Sequence, residues 1–320
     1  MATTVTLDDV RAAAGRIDGR CVRTPLLPGD WTGLRRLWFK PECLQPTGAF
    51  KLRGATNAVE RLAPEQRRRG VVTHSSGNHG WALAHAARNA GVPATVVVPH
   101  GSNPIKVAAI AAAGADVVTV PVDERESTCA EIAARTGAAE IPPFDHPDVV
   151  AGQGTVGLEI AADLPTVETV LVPVGGGGLI AGIAVAVRAL APHARVIGCE
   201  PALAGDAAES VRAGRLTAWP SRDTVRTSAD GLRSPSLGQL NWELIQRLVD
   251  DIVTVDEDAV EAATRELVTR SRLIVEPSGA VPLAALRQHH EKLPGGPTVA
   301  VISGGNIDPA VLRRLLEVDT

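Results

Sequence analysis

Short apolar runs alternate with helical segments along most of this chain, and this alternation restricts its fold more than any other feature. In the first half, strands are predicted at residues 71–73, 95–98 and 117–120. Helices are predicted at residues 78–90, 103–113 and 125–136, each followed by a glycine: Gly91, Gly114 and Gly137. Glycine is favoured just past a helix C-terminus, and strands joined through helices form parallel sheets with right-handed crossovers. The pattern therefore predicts an α/β protein.

The second half of the chain repeats the pattern. Strands are predicted at residues 167–174, 196–199, 252–255 and 298–302, and helices at residues 179–190, 256–270 and after residue 306. A length of 320 residues exceeds one typical domain. Prolines mark a candidate hinge between the two halves, at Pro142, Pro143 and Pro147. Two parallel-sheet lobes are therefore expected.

Charge and composition exclude several classes of function. The net charge is −4, with acids and bases mixed along the chain, which argues against a nucleic-acid partner. Residues 169–187 are uncharged and long enough to span a bilayer. Pro173 and the glycines after it interrupt them, so a strand, a loop and a helix are predicted there instead. The N-terminus has no apolar signal-peptide core, and four widely spaced cysteines suggest reduced thiols. A cytoplasmic protein without a membrane partner is expected.

Three polar or glycine-rich loops directly follow predicted strands, at residues 75–80, 175–178 and 303–306. In open parallel sheets, ligands bind at the carboxyl ends of the strands. The loops therefore predict a ligand site where these strand ends meet.

The second of these loops consists of Gly175, Gly176, Gly177 and Gly178. Its backbone N–H groups can converge on an anion, and the dipole of the helix that follows favours negative charge there. No lysine follows the loop and its spacing is not G-x-G-x-x-G, which disfavours a nucleotide triphosphate or a dinucleotide. A small phosphate ester fits better, and a flexible turn packed against the sheet is the open alternative.

Lys51 is one of only four lysines in the chain. We expect Thr47 to cap the helix that follows, which places Lys51 in its first turn near Phe50. The helix dipole and partial burial both disfavour the charged amine, and a neutral amine is what Schiff-base chemistry requires. An exposed surface lysine is the alternative.

The loop that begins at Ser75 offers two hydroxyls, an amide and free backbone N–H groups at the start of a helix. Its residues Ser75, Ser76, Gly77, Asn78 and His79 are predicted to bind a substrate carboxylate. An ordinary helix cap is the alternative for the loop. His79 is open to two interpretations, as a base or as a packed side chain.

Taken in order, the segments at Lys51, Ser75–Gly80, the four glycines and Ser303 resemble the signature of the fold-type II enzymes that use pyridoxal 5′-phosphate (PLP). This is the group similar to the tryptophan synthase β subunit, and the resemblance is closest to its serine/threonine dehydratase and serine racemase branch. It covers residues 25–308. It implies two parallel-sheet, three-layer lobes: a large PLP-binding domain of residues 1–69 and 147–320, and a small inserted domain of residues 70–146. It also implies a homodimer.

The resemblance implies specific roles for the cofactor site. Lys51 holds PLP as a Schiff base and later removes the Cα proton, while Phe50 packs beside the cofactor ring. Asn78 hydrogen-bonds the 3′-hydroxyl, the four glycines hold the phosphate, and Ser303 faces the pyridine nitrogen. A neutral serine there favours prompt loss of a β-substituent.

Two further assignments follow from the same resemblance. Ser76 matches the acid/base that lies opposite the lysine in serine racemases. Glu200, Ala204 and Asp206 match the positions at which relatives hold Mg²⁺ or Ca²⁺, and two carboxylates with a carbonyl suit such ions.

The function that we expect is β-elimination from a small hydroxy amino acid, L-threonine or L-serine, giving a 2-keto acid and ammonia. Racemisation of serine or of an aspartate-type substrate, and dehydration of 3-hydroxyaspartate, are alternatives on the same site. β-Replacement, as in cysteine synthase, is disfavoured because its asparagine-rich substrate loop is missing. A non-catalytic phosphate binder is disfavoured because Lys51, Asn78 and Ser303 are all present.

Overall fold

Two β-sheets form the framework of the computed structural model, which describes residues 4–34, 36–75, 77–291, 293 and 295–317. The strands are β1 (Leu27–Pro28), β2 (Leu37–Pro41), β3 (Val71–His74), β4 (Ala94–Pro99), β5 (Asp116–Val120), β6 (Ala139–Glu140), β7 (Thr169–Pro173), β8 (Arg195–Pro201), β9 (Asp251–Val255) and β10 (Thr298–Ile302). The helices are α1 (Leu7–Ile17), α2 (Lys51–Glu60), α3 (Pro64–Arg69), α4 (Asn78–Ala90), α5 (Pro104–Ala112), α6 (Arg125–Thr136), α7 (Pro147–Asp163), α8 (Gly178–Leu190), α9 (Asp206–Ala213), α10 (Ser221–Thr224), α11 (Gln239–Leu248), α12 (Glu257–Glu266), α13 (Pro277–His289) and α14 (Pro309–Leu316).

The larger sheet has six strands in the order β1-β2-β10-β7-β8-β9, and the smaller has four in the order β5-β4-β3-β6. Neighbouring strands are parallel except for the pair β1 and β2. Helices α4 and α6 end at Gly91 and Gly137, whose φ angles of 66° and 72° place them in the left-handed region that glycine favours. The predicted α/β class and its parallel sheets are confirmed.

Each sheet is covered by helices on both faces. In β7, Val170 and Val172 pack into one hydrophobic cluster with α7 and α8, while Leu171 packs on the opposite face with α12 and α13. In β3, Val71 and Val72 likewise point to different clusters, one with α2 and α4 and the other with α6. This alternation is what a strand buried on both faces requires. Both lobes therefore have the predicted three layers.

Helix α7 lies at the centre of the larger lobe and contacts α2 through glycines. A Cβ atom on Gly152 would lie 2.6 Å from the Cα of Gly54 and 2.7 Å from the carbonyl oxygen of Arg53. The backbones of the two helices therefore approach more closely than any side chain would permit. This contact fixes α2, whose first residue is Lys51, relative to the six-stranded sheet. Sequence patterns did not predict α7.

The small sheet lies wholly within residues 70–146. Helix α2 precedes that range, yet Leu52, Ala55 and Val59 pack in the same hydrophobic cluster as β3, β4 and α4. The boundaries of the two domains stay a prediction. Among the helices of the described residues, none is both long and apolar enough to cross a membrane.

Candidate active site

The three predicted loops and the start of α2 meet between the two sheets. The segment before Lys51 pairs with the loop after β10: the amide of Phe50 donates to the carbonyl of Ser303 at 3.0 Å, and an antiparallel bridge joins Ala49 to Gly304. The amide of Gly305 donates to the carbonyl of Gly48 at 2.9 Å. These backbone bonds hold Lys51 beside the carboxyl end of β10.

Lys51 is the first residue of α2 and is partly buried. Its amine donates a hydrogen bond to the carbonyl of Pro143 at 2.5 Å and lies 5.1 Å from the centre of the Phe50 ring. Burial lowers the pKa of the Lys51 amine to about 8. A substantial fraction of the amine is therefore neutral near pH 7.5, which suits attack on an aldehyde.

The predicted helix cap at Thr47 is wrong. Helix α2 begins at Lys51 with Phe50 at the capping position and without a side-chain cap, and the Thr47 hydroxyl is buried without a hydrogen-bond partner among the described residues. Gly48 adopts φ 68°, and its backbone is bonded to Gly305. Pairing with the loop after β10 therefore keeps residues 47–49 out of the helix.

Asn78 begins α4 and belongs to a chain of side-chain amides. The Asn306 amide nitrogen donates to the carbonyl of Thr47 at 2.9 Å and to Oδ1 of Asn78 at 2.8 Å. Both Asn306 N–H bonds are thus used, so the orientation of the Asn78 amide is fixed. The Asn78 nitrogen donates to Glu276 at 2.7 Å. Among the described residues its second N–H has no hydrogen-bond partner, which fits the predicted contact with the PLP 3′-hydroxyl.

Glu276 is 2% exposed, and it lies behind Asn78 in this chain of contacts. Burial raises the pKa of its carboxyl to about 7, and Asp230 acts in the same direction. Sequence analysis assigned no role to Glu276, which lies at the capping position of helix α13.

The four glycines form a closely packed turn that leads from β7 into α8. Gly177 adopts φ 86°, and a Cβ atom on Gly176 would lie 2.3 Å from the Phe144 ring. The turn therefore excludes side chains and presents its N–H groups at the N-terminus of a thirteen-residue helix. Such a cradle fits the phosphate of PLP.

The Ser75 loop also leads into a helix. The amide of Gly77 donates to the Ser75 hydroxyl at 3.3 Å, whereas Ser76 lies outside the described residues. His79 is 2% exposed, and its Nε2 bonds the carbonyl of Ile141 at 3.0 Å. Burial, with Lys51 and two other histidines nearby, lowers the pKa of His79 to about 3. A histidine with this pKa stays neutral near pH 7, which favours the packed side chain over the base.

Glu200 and Asp206 lie at the end of β8 and the start of α9, with Ala204 in the turn between them. They are 1% and 2% exposed, and burial raises the pKa of both carboxyls, that of Asp206 to about 7. Oδ2 of Asp206 has no hydrogen-bond partner among the described residues. Two buried carboxylates and a carbonyl fit a hard cation. Residues 4–317, where described, contain no cluster of three or more His, Cys, Asp or Glu side chains suited to a metal.

Sequence reasoning missed a buried ion cluster behind Lys51. Arg53 donates to Glu42 at 2.7 and 2.8 Å and to Glu159 at 2.6 and 2.9 Å, and Lys40 donates to Glu159 at 2.5 Å. None of the four side chains is more than 11% exposed. Lys40 within the otherwise apolar strand β2 was the available signal. The cluster joins β2, α2 and α7, so it holds the helix that carries Lys51.

Comparison with known proteins supports the cofactor. The family described as "Pyridoxal-phosphate dependent enzyme" matches residues 17–304. Human serine racemase is 42% identical over 318 residues, covering 95% of this chain and 92% of that protein. The L-threo-3-hydroxyaspartate ammonia-lyase of Saccharomyces cerevisiae is 38% identical, covering 95% and 94%.

A solved structure is similar across the whole fold. The threonine deaminase of T.th. superposes with a TM-score of 0.88 at 42% identity, covering 95% of this chain and 99% of that one. Lys51, the free Asn78 N–H and the glycine cradle fit PLP, and the family match extends over both sheets. The chain therefore belongs to the family of pyridoxal-phosphate dependent enzymes.

Proposed function

We propose that this enzyme catalyses β-elimination from a small hydroxy amino acid, L-threonine or L-serine, to give a 2-keto acid and ammonia. The observation that carries the proposal is the Lys51 amine beside the Ser303 loop, whose pKa of about 8 leaves a substantial fraction of it neutral near pH 7.5. The similarity to a threonine deaminase and to a hydroxyaspartate ammonia-lyase supports elimination as the reaction type.

Each predicted contact with the cofactor is assigned to a group of this chain. Lys51 would hold PLP covalently, with Phe50 beside the ring, and the glycine turn would hold its phosphate. The free N–H of Asn78 would donate to the 3′-hydroxyl, and Ser303 would face the pyridine nitrogen. Bound PLP supplies an electron sink for the bond that breaks at the substrate Cα.

The remaining chemistry belongs to the protein. The substrate carboxylate docks at the N-terminus of α4, on the backbone of Gly77, Asn78 and His79, where the helix dipole favours an anion. The neutral Lys51 amine removes the Cα proton, and the β-hydroxyl leaves with a proton as water. Hydrolysis of the released product consumes one water and gives the keto acid and ammonia.

The test combines the visible spectrum with product analysis. Purified protein with PLP should absorb in the visible range, and Lys51→Ala should lose that band. L-threonine or L-serine should change the spectrum and yield 2-oxobutanoate or pyruvate. If neither these substrates nor 3-hydroxyaspartate gives a keto acid, the elimination proposal fails.

Racemisation is the second candidate, because human serine racemase is similar over nearly the whole chain. Ser76 would then act as the acid/base opposite Lys51. Solvent-deuterium exchange at Cα with chiral analysis separates the two reactions. We expect Ser76→Ala to abolish racemisation and to retain much of the elimination of the L-isomer; equal loss of both would contradict a two-base mechanism.

We also propose Mg²⁺ or Ca²⁺ on Glu200, Asp206 and the carbonyl of Ala204, because a cation would neutralise the two buried carboxylates.

A homodimer remains a proposal that rests on the family resemblance, and sedimentation of the holoenzyme tests it. A cytoplasmic location is proposed because the cysteines Cys21, Cys43, Cys129 and Cys199 are all free. The expected partners are a small amino acid and a second copy of the chain, with neither nucleic acid nor membrane.

A further inference from the structure

A short segment of four residues, Ile141 to Phe144, connects the small sheet to the site and contacts two of its parts. The amide of Ile141 donates to the carbonyl of Val72 at 2.9 Å, which fixes the segment to strand β3. The carbonyl of Pro143 accepts the Lys51 amine at 2.5 Å. The Phe144 ring then lies against Gly176 of the glycine turn. One strip of backbone thus contacts both the reactive lysine and the predicted phosphate cradle.

The sequence of this strip makes it stiff. Pro142 and Pro143 each fix their own φ angle near −65°. Each proline also restricts the residue before it to extended conformations, which affects Ile141 and Pro142. The position of the Pro143 carbonyl therefore depends closely on where Ile141 is held.

His79 holds Ile141 from the other side. Its Nε2 lies 3.0 Å from the Ile141 carbonyl, so Nε2 carries the hydrogen and donates it. Nδ1 is then an acceptor, and it has no hydrogen-bond partner among the described residues. The burial of the ring keeps it neutral, so this tautomer persists over the working pH range. The imidazole is a fixed donor at the base of the strip.

We propose that the Pro143 carbonyl is where the Lys51 amine rests whenever it is not bound to the cofactor, and that His79 is a positioning residue that holds this carbonyl through Ile141. One N–H of the neutral amine points to Pro143, which directs the nitrogen lone pair away from the strip and leaves it free to react. Orientation of a reacting group is worth a large factor in rate. The proposal rests on the role given to Lys51 in the proposed function.

The experiment measures the rate at which apo-protein takes up PLP as a function of pH. This rate follows the neutral fraction of the Lys51 amine, so the pH at which it is half-maximal (the pH midpoint) should lie near 8 in the wild type. In His79→Leu the Ile141 carbonyl loses its donor, so the Pro143 carbonyl is no longer held in place. The charged Lys51 amine then loses its acceptor, and the pH midpoint of PLP uptake should fall by roughly half a unit to one unit. The kcat for the amino acid should fall roughly 10- to 100-fold, with KM changed less than about threefold.

Two controls separate positioning from damage to the fold. His79→Gln keeps an N–H donor at a similar distance and should restore both the midpoint and kcat. His85 lies on the same helix and its imidazole is hydrogen-bonded to the Asn89 side chain at 3.0 Å, so His85→Leu should match the wild type. Pro143→Ala keeps the carbonyl but loosens the strip, so it should shift the midpoint in the same direction as His79→Leu.

The inference is overturned if His79→Leu keeps the wild-type kcat and the wild-type pH midpoint of PLP uptake. If His79→Leu does not fold, the same result in Pro143→Ala overturns it. It is also overturned if His79→Gln is as impaired as His79→Leu, because the ring volume would then matter rather than its N–H. Failure of the proposed function looks different: the wild type would bind PLP with a midpoint near 8 and turn over no hydroxy amino acid.

Discussion

Replacing Arg53 by methionine tests whether the buried ion cluster holds the helix that carries Lys51. The guanidinium is 1% exposed and makes four bonds to Glu42 and Glu159, with two more to Thr155 and the carbonyl of Val22. Burial works against the charged form of Glu42, yet Arg53 still holds the pKa of that carboxyl below its usual value. Methionine fills most of the space and removes the charge.

The expected cost follows from what is left behind. Glu42 is fully buried, and its remaining partners among the described residues would be Thr24, Gln45 and the more distant Lys40. Breaking a buried ion pair by removing one partner costs about 3–5 kcal/mol. The free energy of unfolding of Arg53→Met should therefore fall by about that amount. Adding Glu42→Gln should recover about 1–2 kcal/mol, because the uncompensated charge is then removed.

Urea unfolding of the apo-protein, followed by tryptophan fluorescence, measures the change from the shift in midpoint. Arg61→Met is the matched control, because Arg61 lies at the end of the same helix and is 46% exposed in its ion pair with Asp148. An exposed pair contributes less than about 1 kcal/mol. If Arg53→Met and Arg61→Met lose similar amounts, the cluster does not stabilise this part of the fold and the reasoning fails.

Three further predictions concern Lys51, the carboxylate pair and the contact between α2 and α7. Burial lowers the pKa of Lys51 from 10.5 to about 8, so the unfolded apo-protein binds one more proton between these values and stability should rise as the pH increases from about 8 to 10.5. Lys51→Met should remove that rise, and an unchanged slope would contradict the burial of the amine. Mg²⁺ or Ca²⁺ should raise the melting temperature of the wild type in proportion to the logarithm of its concentration, and a similar rise in Asp206→Asn would contradict the site. Gly152→Ala places a Cβ atom 2.6 Å from Gly54 and should cost about 1–3 kcal/mol. Gly15→Ala meets no atom within 4 Å and should be neutral or stabilising by up to about 1 kcal/mol in the same urea titration, so equal losses would refute the close-contact argument.

The sequence determined the fold class and the general location of the site. Periodicity of apolar residues and glycines after helices are local signals, and they predicted helices α4 and α6 to the residue. The carboxyl ends of β7 and β10 share one edge of the larger sheet, so the loops after these two strands could be brought together without knowing the strand order, whereas β3 belongs to the smaller sheet. Lys51 was identifiable because its chain neighbours place it at a helix start, and lysines are rare in this sequence.

Tertiary structure alone decided the contacts that depend on distant segments. The strand order places β2 beside β10, which are separated by more than 250 residues. That pairing brings Asn306 to the carbonyl of Thr47 and draws residues 47–49 out of the helix that Thr47 was expected to cap.

The buried ion cluster shows the same limit. A charged side chain can be buried only when partners of opposite charge surround it, and Arg53 finds Glu42 eleven residues away and Glu159 more than one hundred residues away. No local pattern in the sequence encodes where such partners lie. The sequence therefore determined which residues carry the chemistry, whereas only the packing of remote segments decided how each is held and which pKa values result.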